Sequence, residues 1–167
     1  MDITPLLQSI EATELATLIR EGESWFPWLE SLHVLAVTLV FGTIAIVDFR
    51  LLGWAMLDRS VTRLERSVLP ITWGAFALAV LTGALLFASN AITYASNSWF
   101  VAKFVFIALA GVNMMLFQWW VLRDVSLWDH AAQLPPAAQR AGALSLVFWV
   151  AVITCGRWVG FSLQPGM

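Results

Sequence analysis

Ionisable side chains are what this sequence has least of. Only 12% of its 167 residues are charged, against 60% that are hydrophobic. A chain so poor in charge cannot cover itself with a polar surface, so a soluble globular domain is excluded. Cysteine occurs once, at Cys155, which rules out an intrachain disulfide. A lone cysteine in an apolar run reads first as a small packing residue. No histidine or cysteine pair has metal-ligand spacing, and neither a phosphate-binding glycine loop nor a nucleophile elbow occurs. No pattern points to nucleic acid. A removable signal peptide is not expected either, because no basic stretch precedes the first apolar run and no small-residue cleavage pattern follows a short one.

What the chain has is hydrophobic length. Mean hydropathy is +0.79, and four windows reach the 20 or so residues that a helix needs to cross a bilayer core: 26–47, 69–89, 99–122 and 141–163. The expected fold is an all-α integral membrane four-helix bundle in a single domain spanning 1–167. Thr4-Pro5, a capping residue followed by proline, opens a short helix over about 5–20, expected to lie in the membrane interface. Pro27 and Pro70 are placed in the first turns of their spans, and Pro135-Pro136 separates the third span from the fourth.

Lys and Arg in short loops set the orientation. Arg50, Arg59, Arg63, Arg66, Arg123 and Arg140 fall on one side, against Arg20 on the other. This predicts a multi-pass protein of the bacterial inner membrane with both termini periplasmic. Tryptophans at both interfaces agree, with Trp25, Trp28, Trp99 and Trp158 outside and Trp54, Trp73, Trp119, Trp120 and Trp128 inside. His130, beside Asp129 in a loop, reads as a solvated residue, and Met114-Met115 as core filler.

Charges within the spans are few: Glu30 and His33 on the first, Lys103 on the third, Arg157 on the fourth. An intramembrane ionisable group is a functional candidate by default. Counted from the outer helix ends, Glu30 and Lys103 lie roughly 7 Å deep, Arg157 roughly 9 Å and His33 roughly 12 Å. Three helices thus carry polar groups in one half of the bilayer. Cys155 points about 200° away from Arg157, so a site containing one tends to exclude the other.

Two readings of this group compete. In the structural one, the cations reach toward headgroups, Glu30 pairs with one of them, and His33 is a hydrogen-bonded interior group. In the other, His33 ligates a haem b iron while Lys103 and Arg157 meet the propionates and Glu30 supports the imidazole. Proton-coupled or small-solute transport is a weaker third reading, since no charge is expected in the other half of any span. Gly156 and Gly160 form a G-x-x-x-G pair, consistent with a homo-oligomer.

The segments "LHVLAVTLVFG" and "WFVAKFVFIALAGVN" resemble the copper-resistance-D and HemJ-like membrane proteins, bundles of four or five helices. The resemblance implies a haem b ligated by the histidine matching His33, with the lysine matching Lys103 in the same site. The stretch "GTIAIVDFRLLG" is also similar to one in small uncharacterised bacterial four-helix membrane proteins. The tryptophan that follows the histidine in those families is absent, and there is no second intramembrane histidine. A sixth iron ligand would then come from water, a small molecule or another subunit. A copper path would offer several Met, His or Cys on one face, and the outer half offers His33 with Cys155 turned aside. The expectation is a haem-linked electron-transfer protein with a redox partner. The alternative is a non-catalytic membrane subunit.

Overall fold

The computed structural model describes residues 3–129, 131 and 134–162, all helices and short connections with no strand among them. His130 and the segment after Ser162 lie outside the described residues. Two short helices, α1 (Thr4–Glu11) and α2 (Glu14–Glu21), precede the long helices α3 (Trp25–Leu51) and α4 (Val61–Ser89). A five-residue helix α5 (Ala91–Ala95) leads into α6 (Ser98–Leu116), which runs on through a π turn (Phe117–Val121) and a 3-10 segment (Leu122–Leu127). Helix α7 (Pro136–Ser162) completes the chain's described part.

Four of these segments are long and apolar enough to cross a membrane: Trp25–Leu51, Val61–Ser89, Ser98–Leu127 and Pro136–Ser162. The chain is a multi-pass membrane four-helix bundle. Large apolar side chains such as Val34, Leu35, Leu81, Val105 and Val147 are exposed. That is the arrangement expected where lipid tails rather than water form the solvent.

Side-chain caps start several helices. Thr13 accepts from Ala16 N–H, Ser60 from Arg63 N–H, and Asn97 from both Trp99 and Phe100 N–H. Each cap is worth about 1 kcal/mol. Thr13 explains why the expected single N-terminal helix is two: its hydroxyl caps a fresh start at Glu14 after Ala12 ends the first. Neither short helix floats free of the bundle. Glu11 accepts from Ile92 N–H at 2.9 Å, Arg20 donates to the Ser89 carbonyl at 3.0 Å, and Ala16 and Ile19 are buried.

The spans outrun the apolar windows. Helix α4 begins at Val61, so Pro70 lies inside it rather than in its first turn, and α3 carries Asp48 and Arg50 within its last turns. A window ends where charge begins, but the backbone continues, because Arg50 is held by carbonyl groups of both loops at this end. Arg50 is fully buried and donates to the Arg59 carbonyl at 2.8 Å, and to the Asp129 and Ala131 carbonyls at 3.4 Å. It thereby ties both loops at this end to α3.

In packing, α3 lies against α4 and α7, and α6 against α7, whereas α4 and α6 barely touch. Gly142 of α7 makes the α3 approach close: a Cβ there would sit 3.0 Å from Leu51 Cβ and 3.2 Å from the Asp48 carbonyl oxygen. Leu51, Val61, Phe117, Trp128, Leu134 and Ala138 form a buried apolar cluster at the same end.

Candidate functional site

His33 sits two turns into α3, half-buried, and faces α4 with one ring nitrogen and α6 with the other. Its Nδ1 lies 3.0 Å from Thr82 Oγ1. The Thr82 hydroxyl spends its own proton on the Leu78 carbonyl at 2.7 Å, so its oxygen is left to accept. Nδ1 therefore carries the hydrogen, and the Ala79 carbonyl offers it a further acceptor. The Nε2 lone pair then points at Lys103 Nζ, 3.4 Å away, which donates. This tautomer is the one a metal-binding imidazole uses when Nε2 is the ligating atom.

Glycine makes the fit. A Cβ at Gly83 would come 3.0 Å from His33 Cε1, so the imidazole edge rests on bare α4 backbone. Across from it, Gly156 of α7 would place a Cβ 3.7 Å from Lys103 Nζ. Gly156 thus faces the bundle interior, and its contribution to close approach is used within one chain. Cys155 is buried and lies within electrostatic reach of Lys103. Among the described residues, the one ion pair is Arg20 with Glu21 at 4.0 Å, so Lys103 has no carboxylate beside it.

His33 and Lys103 thus come together, with Thr82 as a partner that sequence reading did not single out. Glu30 and Arg157 do not join them. Arg157 is exposed and lies over the Phe161 ring, 4.6 Å from its centroid. Arg157 lies in the same half of the bundle as Lys103 but on another azimuth, because Cys155 and Gly156 take the inward face. Glu30 is exposed too, and its carboxylate acts on Tyr94, in the short helix between two spans. Burial first, and Glu30 second, push the Tyr94 phenol above its ordinary value.

The other half of the bundle departs from expectation. Asp48 and Glu65 both line a cavity of about 240 Å³ at the α3 C-terminal end. Both residues lie within helices, so that half of the spans is not free of charge, and the ground for setting transport aside falls away. Among the described residues, no three His, Cys, Asp or Glu gather as they would around a metal ion.

No curated protein and no solved structure matches the chain. One family profile does, over residues 21–162, which takes in all four spans and leaves α1 and nearly all of α2 outside. The chain belongs to that family, described as a family of unknown function (DUF6644).

Proposed function

We propose that this protein binds haem b through His33 and serves membrane electron transfer. The observation that carries the reading is the meeting of His33 Nε2 and Lys103 Nζ at 3.4 Å inside the bundle, with no anion beside the lysine among the described residues. These are the two residues that the HemJ-like resemblance singles out, and they come from positions 70 apart in the chain. Haem iron, when bound, supplies one-electron exchange. The chain's own residues do the rest. Thr82 fixes the imidazole tautomer, so that Nε2 presents a lone pair. Lys103 sits at the end of a flexible four-carbon stem, so rotation about that stem frees Nε2 without moving backbone. Its ammonium then offsets the burial cost of a haem carboxylate. Arg157, on the outer surface, takes no part in this version of the site.

The alternative has its own support, because both ring nitrogens already have partners within the protein. In that reading the His33, Thr82 and Lys103 chain holds three helices together, as interhelical hydrogen bonds do in membranes. An absorption spectrum of protein purified in mild detergent separates the two. Haem binding gives a Soret band that shifts on dithionite reduction. His33→Ala abolishes it, Lys103→Ala weakens haem retention, and Arg157→Ala leaves both unchanged. Colourless wild-type protein, after expression with added haem precursor, leaves the structural reading standing.

We place the protein in a bacterial inner membrane with the His33 end periplasmic, on the support of the Lys and Arg distribution between loops. Asp58 and Ser96 are exposed and lie at opposite ends. Single cysteines at these positions, in a Cys155→Ser background, report the orientation to an impermeant reagent in spheroplasts. Ser96→Cys should be labelled, and labelling of Asp58→Cys instead reverses the assignment.

A further inference from the structure

The cavity at the α3 C-terminal end holds chemistry that the His33 site does not use. Its walls are α4 on one side and α6 with its π turn on the other, the two elements that barely pack together, and its floor is α3 and α7. It therefore opens sideways, toward lipid. The lining is apolar and aromatic, with Trp73, Phe76 and Trp149 among it. Among the described residues two charged ones line it, Asp48 and Glu65, and no lysine, arginine or histidine does.

Asp48 is the informative residue. It is only 4% exposed, Ser145 is its one side-chain hydrogen-bond partner, and its Oδ2 has no partner at all. Glu65 stands at the end of the same cavity, where Gln118 donates to it and links the two walls. A carboxylate withdrawn from water without a counter-charge is costly, and the described residues supply none here. Aromatic walls around a carboxyl group that has no counter-charge of its own are what a cationic organic group requires, since ring faces attract ammonium as well as apolar surface and the carboxyl group ionises against the arriving cation. An inorganic cation is a poor match, because it would have to give up its water shell for two carboxylates set among hydrocarbon.

We infer that this cavity is a binding site for a small lipophilic organic cation that enters laterally from the bilayer between α4 and α6, with Asp48 as its counter-ion. The volume of about 240 Å³ lies just below the roughly 300–1,000 Å³ of pockets for drug-sized ligands, which suits a single aromatic ring bearing a substituted ammonium. The inference stands apart from the haem reading and shares no residue with it.

Benzyltrimethylammonium is a suitable probe, with neopentylbenzene as its uncharged isostere. Equilibrium dialysis of the full-length protein in lipid nanodiscs, against empty nanodiscs, measures retention. Saturable binding of the cation is expected, with the neutral isostere bound at least about tenfold more weakly. Asp48→Asn should weaken the cation by about tenfold or more, and Glu65→Gln by about threefold. Should Asp48→Asn fail to fold, Gly111→Phe serves in its place. Gly111 lines the cavity at an exposed position, and a Cβ there meets nothing within 4 Å, so an added ring stands at the lipid-facing mouth without displacing backbone. That variant should lose cation binding while keeping any Soret band the wild type shows. Absence of saturable binding, equal retention of the neutral isostere, or an unchanged affinity in both Asp48→Asn and Gly111→Phe overturns the inference.

Discussion

At the His33 end of the bundle the polar groups satisfy one another: Nδ1 meets a threonine, Nε2 a lysine, and glycine backbone closes over the ring. At the Asp48 end the helices are pinned at their margins, by Arg50 on the loop carbonyls and Gly142 against α3, while a carboxylate oxygen between them has no partner. The first end spends its hydrogen bonds on joining helices, and the second spends its packing on keeping a space open. The difference teaches that a buried charge in a membrane bundle is informative less by its depth than by what its neighbours leave undone.

The largest test of this contrast is Gly142→Leu. Its side chain would press on the Asp48 carbonyl, a backbone atom that cannot rotate away. Overpacking of this kind costs about 1–3 kcal/mol, which lowers the thermal midpoint in nanodiscs by about 5 °C. Gly160→Leu, where a Cβ meets open space, should leave the midpoint where it is. Equal midpoints for the two variants would show that α3 and α7 do not approach as closely as the Gly142 contacts require.

A smaller effect should come from Thr82→Val, which keeps shape and removes the acceptor for His33 Nδ1–H. The expected cost is about 1 kcal/mol. The sharper readout is the imidazole itself: ¹⁵N shifts of His33, in a His130→Gln background, should move away from a single Nδ1–H tautomer. Unchanged shifts would mean that something other than Thr82 fixes the ring.

Glu30→Gln should have the smallest effect and report on the surface alone. Tyr94 is the chain's one tyrosine, so phenolate absorbance titrates it without interference. Its value, held above the ordinary 10 by burial and then by Glu30, should fall in the variant yet stay above 10, because burial remains. A phenol whose value is raised by folding contributes its full stability below about pH 10 and loses it as pH rises through the folded value. The variant's alkaline unfolding should therefore begin slightly later than that of the wild type. An identical titration in both proteins would separate Glu30 from Tyr94.

Much of the fold was legible in the sequence because bilayer crossing imposes length and hydropathy directly. The four spans needed no tertiary information, and Pro135-Pro136, read as the break before the fourth, stands at the start of α7. Helix ends were not legible, since Asp48, Arg50 and Glu65 break the apolar runs while the backbone continues past them. Depth counting brought His33 and Lys103 to the same half of the bundle. It put Arg157 there as well, and only the packing of α7 on α6 reveals that Cys155 and Gly156 face inward. Thr82 carried no signal at all, because a threonine in an apolar helix bonds its own preceding turn whether or not an imidazole arrives.

The π turn at Phe117–Val121 has a consequence for any alignment of related chains. It accommodates one residue more than an α turn would, so side chains across it drift by up to about 100° from the phase that Lys103 follows, and the 3-10 segment after it, non-helical at Asp124, does not restore that phase. Within the turn lies Gln118, which reaches Glu65, and beyond it lies the buried Trp128. A relative shorter by a single residue here would keep the same hydropathy profile and the same span, yet present a different side chain to Glu65. Third-span sequences are therefore comparable in one helical register only as far as Phe117.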